Sequence, residues 1–535
     1  MTLNRRAFLH TSLALMSAGA AAIVPATDSA AASGTLVEGG TLTYAIPQEP
    51  PSLVSLLDTN TAIRNISAKI TEGLLRYDAQ FKPQPLLATS WVISADRLEY
   101  TFKLRPAVTW HDGREFTSAD VRYSVLAQQK LGPRGRITLA NVARVDTPDP
   151  LTVVLVLSKP TPYLIKALSS AELPIVPQHR YGEGDPLTSP NLNAPIGTGP
   201  FIFDKWVRGS YISLRKNPNY WRKGTPHLDH VIYRIVPDQA AISAALETGE
   251  ADAAGNVALS DLGRLAALAQ LRIDNTYDAY LNNASFLEFN VESPILAKPD
   301  VRKAIAQALD RNFIRDNIYY KRSTVVNSPV PAALSNYYDD STFHYPYDLI
   351  AANRLLDDAG YKRQSDGQRF ALRLTTIPGP DFKRTADYLR AALSRVGIKL
   401  SSLDGDQPTL LRRAYITREF DLNINGLGRL YDPTVGVQRI YWSDGVKHPL
   451  IWINASHYQN PQVDELFRQA AVETDEPKRG AAFREIQRIV GRDLPVLPLV
   501  TVPSLQVYNA RVHNLSNSID LAAGDFSDTW IEART

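Results

Sequence analysis

Apolar and polar residues alternate along the segment Leu98–Leu104 (LEYTFKL), with the period of two that is typical of a half-buried β-strand. The continuous apolar run LTVVLVL predicts another strand at 151–157. The same kinds of pattern predict further strands at 41–46, 196–206, 210–221, 231–237, 371–377, 398–403 and 420–424.

Helical periodicity is clearest from Val301 to Phe313, where large apolar residues recur every four positions, with Asp300 as the expected cap. The chain also contains start and stop signals such as Asp238 before a helix and Gly249 after it. Other helices are predicted at 62–75, 117–129, 240–249, 348–359, 383–396, 461–474 and 477–491. Because strands and helices alternate without a fixed repeat, we expect an α/β fold with several lobes.

The length and composition narrow the class of protein. A chain of 535 residues exceeds what one hydrophobic core supports, so about two to four lobes are expected. The 58 basic and 55 acidic residues nearly cancel, which gives no reason to expect nucleic acid as a partner. The absence of cysteine excludes disulfides, thiolate metal sites and cysteine nucleophiles.

The N-terminus has the features of an export signal. Arg5 and Arg6 are followed by Phe8, Leu9 and an apolar stretch, and Ala30-Ala31-Ala32 offers a cleavage site. We therefore expect a twin-arginine signal peptide at residues 1–32 and a mature protein in the periplasm. An uncleaved membrane anchor is the alternative interpretation.

Enzyme and metal motifs are missing from the sequence. It contains no G-x-S-x-G, H-E-x-x-H or phosphate-binding loop, so no catalytic residue and no cofactor are predicted. His227 and His230 are expected on a surface loop at the start of a strand, not at a metal. His111 and Asp112 precede Gly113 in what we expect to be a turn. No metal site is predicted.

Five segments taken in order resemble one known family. They are TEGLLRYDAQFKPQPLLATSW (71–91), YTFKLRPAVTWHDGREFTSADVRYS (100–124), IGTGPFIFDKW with LRKNPNYW (196–221), VRKAIAQALDR (301–311) and NPQVDELFRQA (460–470). Together, and behind an export signal, they resemble the periplasmic solute-binding proteins of ABC importers, in the dipeptide, oligopeptide and nickel-binding family. The resemblance runs from about residue 36 to the end.

That resemblance implies a two-lobed periplasmic-binding-protein fold with hinge strands and a third, smaller lobe inserted in lobe I. Hinge strands are expected near 282–290 and 495–503, where few backbone rotations would close the lobes. On this chain the expected divisions are lobe I at 36–71, 196–282 and 503–535, the inserted lobe at 72–195, and lobe II at 283–502.

The resemblance also implies where the ligand binds. In this family a strand edge and loop of lobe II precede an Asp/Glu-Pro step, which here is Asp432-Pro433. Peptide binders carry an acidic residue a few positions earlier for the α-ammonium group. The matching position here is Arg429, or Leu430 if a gap is placed in the loop, and neither is acidic.

An arginine at this position would suit a carboxylate or a phosphate. Alternatively, Arg429 points to solvent or pairs with an acid of lobe I such as Glu49. Gly426 and Gly428 are expected to let a ligand approach a strand edge, because no helix N-terminus is evident behind them to make a phosphate loop. The predicted ligand-binding residues are Glu49, Asn423, Asn425, Gly426, Leu427, Gly428, Arg429, Tyr431, Asp432 and Trp442.

The implied function is the extracytoplasmic substrate-binding subunit of an ABC importer. Its expected partners are a small-molecule or peptide ligand and the permease and ATPase subunits at the inner membrane, and it is expected to work as a monomer. Small peptides or peptide-like solutes are the first ligand class. Anionic non-peptide solutes, such as opines or acidic sugar conjugates held by Arg429, are the second, and nickel or a metal chelate is the third. A secreted hydrolase and a binder of unfolded chains are alternatives from other classes.

Overall fold

The computed structural model describes residues 36–58, 60–78, 80–274, 281–403, 405–447, 450–515 and 523–534. The signal peptide predicted at 1–32 lies outside these residues. From Val37 onward the chain forms one compact unit. Among the described residues, none of the helices combines the length and the apolar character needed to span a bilayer.

Twenty strands and sixteen α-helices make up the described fold. The strands are β1 (Thr41–Ile46), β2 (Leu75–Tyr77), β3 (Pro83–Pro85), β4 (Ala88–Ile93), β5 (Glu99–Leu104), β6 (Val142–Asp149), β7 (Thr152–Leu157), β8 (Phe201–Val207), β9 (Tyr211–Lys216), β10 (His230–Ile235), β11 (Ala253–Gly255), β12 (Leu271–Asp274), β13 (Asn283–Phe289), β14 (Phe370–Thr376), β15 (Ile398–Ser402), β16 (Leu422–Gly428), β17 (Val496–Thr501), β18 (Gln506–Asn509), β19 (Val512–His513) and β20 (Trp530–Ile531). The helices are α1 (Thr61–Ile70), α2 (Ser118–Leu131), α3 (Gly135–Thr138), α4 (Gln178–Tyr181), α5 (Gln239–Thr248), α6 (Leu262–Ala266), α7 (Pro299–Gln307), α8 (Arg311–Phe313), α9 (Leu349–Asp358), α10 (Pro380–Ser394), α11 (Gln407–Arg412), α12 (Pro433–Gly436), α13 (Gln438–Tyr441), α14 (Asp444–Lys447), α15 (Pro461–Val472) and α16 (Glu476–Asp493).

Three sheets organise the chain. A seven-stranded sheet has the order β12-β18-β11-β1-β10-β9-β8 and so joins strands from both ends of the sequence. A five-stranded sheet has the order β15-β14-β16-β13-β17, and a four-stranded sheet has the order β4-β5-β7-β6. In the following, lobe I denotes the seven-stranded sheet with its helices, lobe II the five-stranded sheet with its helices, and the inserted lobe the part built on the four-stranded sheet. The exact lobe boundaries stay predictions.

Local signals account for several of the elements. Thr117 and Asp120 form a capping box at the start of α2, which confirms the predicted start. Asp238 caps α5 by accepting from the Ala241 amide, and Gly249 ends that helix in the left-handed conformation. Strand β1 pairs in parallel with both β10 and β11, which places its apolar residues in the interior of lobe I.

The helix predicted over 301–313 is interrupted. It begins at Pro299 with Lys298 at the N-cap, so the prediction of Asp300 as the cap is wrong, and α7 ends at Gln307. The Asp310 carboxylate then accepts from the amides of Asn312 and Phe313 at 3.0 and 3.2 Å and starts α8. A side chain that caps a new helix here competes with continuation of the old one, which the apolar spacing alone does not reveal.

The strands predicted over 196–206 and 210–221 are both shorter in the structure. β8 begins only at Phe201, directly after Pro200, and β9 ends at Lys216, two residues before Pro218. Proline lacks the amide that a sheet ladder needs, so each proline marks the end of pairing. Helix α1 is also shorter than predicted, because it ends at Ile70 and the prediction extended to residue 75.

The segment around the two glycines differs most from the prediction. The strand predicted to end at Ile424 continues through Gly426 and Gly428 as β16, in the interior of the lobe II sheet. The helix α12 follows at Pro433, with Asp432 at its N-cap, so the statement that no helix follows the glycines is wrong. The helix has only four residues.

Candidate ligand-binding site

Strand β16 has one open edge. It pairs with β13 along its whole length, from Leu422 opposite Phe289 to Gly428 opposite Asn283. On its other side, β14 pairs only as far as Ile424, whose carbonyl oxygen accepts from the Ile377 amide at 3.2 Å. Backbone groups of alternate residues point to the same side of a strand. The backbone groups of Gly426 and Gly428 therefore point to a side on which no described strand pairs with them, and we call residues 425–428 the open edge.

The two glycines of the open edge lie against neighbouring groups. A Cβ atom on Gly426 would come within 2.8 Å of the ring of Phe382 and 3.8 Å of the Ile377 side chain. On Gly428 it would lie 3.3 Å from the Leu281 carbonyl oxygen, at the crossing between the lobes. A side chain at Gly426 would thus require the Phe382 ring to move, and one at Gly428 would be in tight contact with the Leu281 carbonyl oxygen.

A buried polar cluster lies on the other face of β16. Asn423 donates to the Glu288 carboxylate at 2.5 Å, and Asn425 donates to the Tyr415 hydroxyl. The side-chain oxygen of Asn425 also accepts from the Gly426 amide at 2.7 Å. Burial raises the pKa of Glu288 to about 7, although the asparagine hydrogen bonds and the charge of Arg439 act in the opposite direction. Asn423 and Asn425 are therefore largely engaged with the protein itself.

The raised pKa of Glu288 predicts a pH-dependent stability. Its folded-state pKa of about 7 lies above the ordinary value of 4.5, so the folded state holds the proton more tightly than the unfolded state. Stability from this group is greatest below pH 4.5 and falls as the pH rises toward 7. We expect Glu288→Gln to remove this loss, on the order of 2–3 kcal/mol at pH 8, as measured by denaturant unfolding at pH 5 and pH 8.

The exposed residue Glu99 supplies a matched control, and Glu99→Gln should leave the pH profile unchanged. Some dependence of the same sign should survive in Glu288→Gln, because burial also raises the pKa of Glu72 to about 7. Unfolding free energies of wild type and Glu288→Gln that stay parallel between pH 5 and pH 8 would contradict the assignment.

Arg439 covers part of the open edge. Its guanidinium donates to the carbonyl oxygens of Gly428 at 2.8 Å, Gly436 at 3.2 Å and Trp452 at 3.3 Å. Burial lowers the pKa of Arg439 to about 10, and the charge of Arg134, from the inserted lobe, lowers it further. A cation from each of two lobes thus lies near this edge.

Arg429 lies between Asn282 and the loop that follows α8. It is 3% exposed, and its guanidinium donates to the carbonyl oxygen of Asn282 at 2.9 Å and to those of Ser328 and Val330 at 3.5 Å. The alternative in which it points to solvent is therefore wrong. Glu49 instead accepts from the Trp206 indole and the Gly209 amide at 2.9 and 3.1 Å, so the predicted pairing of Arg429 with Glu49 is also wrong. That Arg429 contacts a ligand stays a prediction.

Asp432 belongs to a buried ion pair. Its two carboxylate oxygens accept from the Arg479 guanidinium at 2.7 and 2.9 Å, and one of them also accepts from the Thr434 amide at 3.0 Å. Arg479 also donates to the Tyr337 hydroxyl at 2.7 Å. Burial alone would raise the pKa of Asp432, but the charge and hydrogen bonds of Arg479, with smaller contributions from Lys166 and the Thr434 amide, together lower the pKa below its usual value. Asp432 therefore holds the segment after β16 in place.

Tyr431 lies in a contact between lobe II and the inserted lobe. Its ring stacks on Phe81 with the centroids 5.3 Å apart, and Phe81 stacks on Tyr77 at 4.8 Å. Phe81 has a φ of 59°, in the left-handed region, on the turn between β2 and β3. The Asp78 carboxylate braces that turn by accepting from the amides of Gln80 and Lys82. We call these three rings the aromatic stack.

Two cavities are lined by residues from more than one lobe. One, of about 260 Å³, is lined by Gln48 and Arg64 of lobe I and by Asn283 of β13, among others. The other, of about 300 Å³, lies between Phe81 and Lys166 of the inserted lobe and Tyr431 of lobe II.

The other predicted ligand-binding residues, Leu427, Trp442 and Glu49, have different surroundings. Leu427 is buried in the lobe II core, and the Trp442 ring packs on Phe467 of α15 at 6.2 Å. Glu49 lies in lobe I, on the segment after β1. The structure thus brings Asn423, Asn425 and the glycines together at one strand and separates Glu49 and Trp442 from them.

The histidines considered from the sequence have structural partners. His227 contacts Glu38 at 2.7 Å, and His230 starts strand β10. His111 contacts the Gly199 carbonyl oxygen at 3.0 Å, and burial lowers its pKa to about 4. Within the described ranges, no group of three or more histidine or acidic side chains is arranged to hold a metal ion.

Comparison with known proteins decides the family. Residues 82–448 match the pattern of the bacterial extracellular solute-binding proteins, family 5. The chain belongs to this family. Its members are extracytoplasmic binding proteins and not enzymes, so the secreted-hydrolase alternative is wrong.

Three family relatives show the range of names and ligands. A Brucella ovis protein named as an ABC transporter peptide-binding protein is 31% identical over 76% of this chain and 77% of its own length. The glutathione-binding protein of Escherichia coli is 27% identical over 83% of this chain and 85% of its own length. The Agrobacterium tumefaciens binding protein solved with agropinic acid has a TM-score of 0.78 at 27% identity, covering 93% of this chain and 99% of that one. The shared fold confirms the expected α/β binding-protein architecture.

Sequence reasoning missed the residues that surround the open edge. Arg134, Phe382 and Phe81 are far from β16 in sequence, whereas Arg439 lies on α13, 11 residues after Gly428. The residue order carried no local signal for them, because nothing in their flanking sequences indicates which strand they approach.

Proposed function

We propose that this protein is the substrate-binding subunit of an ABC importer and that it binds a small peptide or peptide-like solute at the open edge of β16. The observation that supports this site is that β14 stops pairing at Ile424 while β16 continues through Gly428. An unpaired edge of this kind can accept the main chain of an extended ligand as an added strand. The relative named as a peptide-binding protein supports the same ligand class.

The surroundings of the edge suit a main chain that lies close to β16. Gly426 presents no side chain, and the half-buried Phe382 ring beside it offers an apolar surface to a ligand side chain. On the other face Tyr415 and Trp452 lie with their ring centroids 5.8 Å apart. The Gly426 amide already donates to Asn425 and the Gly428 carbonyl already accepts from Arg439. The ligand would thus bond to the Gly426 carbonyl and the Gly428 amide, with aromatic contacts on both sides.

Closure of the inserted lobe over lobe II would complete the site. The aromatic stack carries apolar contact between these lobes, through Phe81 and Tyr431. Opening this contact would expose two rings, and closing it would exclude water from the ligand. Release to the permease would then require the stack to separate.

We further propose export through the twin-arginine pathway, on the basis of Arg5-Arg6 and the apolar stretch that follows. The mature protein would act as a monomer in the periplasm and deliver its ligand to permease and ATPase subunits in the inner membrane. Loss of export after Arg5→Lys and Arg6→Lys together would test the pathway.

A second candidate ligand class is an acidic non-peptide solute. The relative solved with agropinic acid and the cations near the open edge favour it. Both candidates share the same edge, so they differ in ligand chemistry and not in location.

Ligand binding should stabilise the protein against unfolding. A ligand at one hundred times its Kd that binds only the folded state adds about 2.7 kcal/mol, which raises the melting temperature. We expect such a rise with at least one member of a panel of di- to pentapeptides in a thermal-shift assay. Aliphatic amines and neutral sugars serve as controls. No rise with any peptide would contradict the peptide proposal.

A further inference from the structure

We propose that Arg439 is the anion-binding residue of this site and that the ligand presents a carboxylate to it. This inference rests on the proposed function, because it takes the ligand to lie at the open edge of β16. It also moves the anion-binding role from Arg429, where the sequence suggested it, to a residue ten positions later.

The position of Arg439 is the first argument. Its guanidinium lies 2.8 Å from the carbonyl oxygen of Gly428, and that carbonyl points to the open side of β16. Arg439 therefore lies beside the backbone groups that would receive the ligand.

The hydrogen-bond count is the second argument. A guanidinium has five N–H donors. In Arg439 the Nε–H, one Nη1–H and one Nη2–H are engaged, each with a backbone carbonyl oxygen. One N–H remains on each of Nη1 and Nη2, and a carboxylate could accept from these donors.

The charge balance is the third argument. All three partners of Arg439 are neutral carbonyl groups, and Arg439 forms no ion pair with a carboxylate among the described residues. A half-buried cation is less well hydrated than an exposed one, so a counter-charge would stabilise it. A ligand carboxylate would supply the missing charge.

Nearby acids do not remove the surplus positive charge. Arg134 forms an ion pair with Glu172 at 2.6 Å, so that carboxylate is matched by its own cation. Glu288 is bound to Asn423 on the far face of β16, and burial favours its neutral form. Glu172 and Glu288 are thus engaged with groups other than Arg439, and a ligand carboxylate would act as its counter-charge.

Arg429 differs from Arg439 in the location of its partners. Its guanidinium contacts the carbonyl oxygens of Asn282, Ser328 and Val330. Asn282 directly precedes β13, and the other two residues belong to the loop after α8. Arg429 therefore holds Asn282 and the loop after α8 together, and these three carbonyl groups lie outside residues 425–428.

The test compares carboxylates with their amides. Peptides and opine-type N-carboxyalkyl amino acids are measured by calorimetry, each as the carboxylate and as the corresponding primary amide. We expect wild type to prefer at least one carboxylate over its amide, and Arg439→Gln to reduce that preference about 10- to 100-fold. Arg439→Lys should retain part of the preference, because it keeps the charge and loses the fork.

Matched variants separate the possible failures. Arg468→Gln removes an exposed arginine of α15 that pairs with Glu465, and it should bind like wild type. The melting temperature without ligand identifies any variant that fails to fold, and Arg439→Lys then remains as the test. Arg429→Gln is measured alongside, and loss of the preference in Arg429→Gln but not in Arg439→Gln would overturn the inference.

The outcomes for the two proposals are distinguishable. Peptides that bind equally as acids and amides, in wild type and Arg439→Gln alike, would overturn the carboxylate site and leave the peptide function standing. Acidic non-peptides that bind while every peptide fails would contradict the peptide function and support the carboxylate site if Arg439→Gln weakens them. No binding by any carboxylate probe would overturn the inference.

Discussion

Replacing Arg479 with leucine should lower the free energy of unfolding by about 3–5 kcal/mol, the cost of removing one partner from a buried ion pair. Arg479 and Asp432 are 1% and 0% exposed at their side chains, and two hydrogen bonds of 2.7 and 2.9 Å join them. The variant leaves the Asp432 carboxylate buried without its cation. It also removes the hydrogen bonds to Tyr337 and to Thr434.

Denaturant unfolding followed by tryptophan fluorescence measures this effect. Arg488 lies on the same helix, α16, with a side chain that is 65% exposed, so Arg488→Leu is the matched control and should change stability little. Adding Asp432→Asn to Arg479→Leu should recover part of the loss, since the buried negative charge is then gone. A loss below about 1 kcal/mol in Arg479→Leu would contradict the assigned role of the pair.

The same pair bears on function through its position. Asp432 caps α12 directly after the segment that leaves β16, so the pair fixes where the open edge ends. Arg479 is 47 residues later in the chain, on a helix whose sequence resembles any amphipathic surface helix. Its role depends wholly on the packing of α16 against this loop.

Gly426→Val should abolish measurable peptide binding or weaken it by more than about tenfold, which is about 1.4 kcal/mol. A Cβ at this position would lie 2.8 Å from the Phe382 Cζ atom and 3.5 Å from its Cε1 atom. The Phe382 ring must then move, and the added methyl groups occupy the space beside the open edge. Overpacking should also reduce stability, by about 1–3 kcal/mol.

Calorimetry with the peptide that gives the largest thermal shift measures the loss, at a temperature where the variant is folded. Gly263→Ala is the control for removing a glycine, because a Cβ there meets nothing within 4 Å. Combining Gly426→Val with Phe382→Ala restores space and should recover stability but not the full affinity. Wild-type affinity in Gly426→Val would show that the ligand binds away from this edge.

The outcome for Arg429 shows where sequence reasoning reached its limit. Arg429 stands at the same distance before Pro433 as the acidic residue of peptide binders, and that distance can be read directly from the sequence. The direction of the side chain depends on Asn282, Ser328 and Val330, which are about 100 to 147 residues away in sequence. Only the folded chain brings those carbonyl groups to the guanidinium.

The glycines illustrate the same division. That Gly426 and Gly428 let a ligand approach a strand edge stays a prediction, and it rests on the absence of a glycine side chain. The sequence did not reveal that they lie within β16, since glycine is disfavoured in strands and the predicted strand therefore ended at Ile424. The open edge exists because β14 is shorter than β16 on that side, which is a property of two strands and not of either one.

By itself the sequence determined the α/β class, the family and most elements with strong periodicity or clear caps, such as β5, α2 and α5. Those features depend on neighbouring residues and on the order of motifs, both of which are read directly along the chain. The tertiary structure decided the open edge, the Asp432–Arg479 pair and the location of Arg439, because each joins groups from separate segments. Long-range pairing and burial fix which polar groups are already satisfied, and the donors that remain determine which ligand chemistry the site can bind.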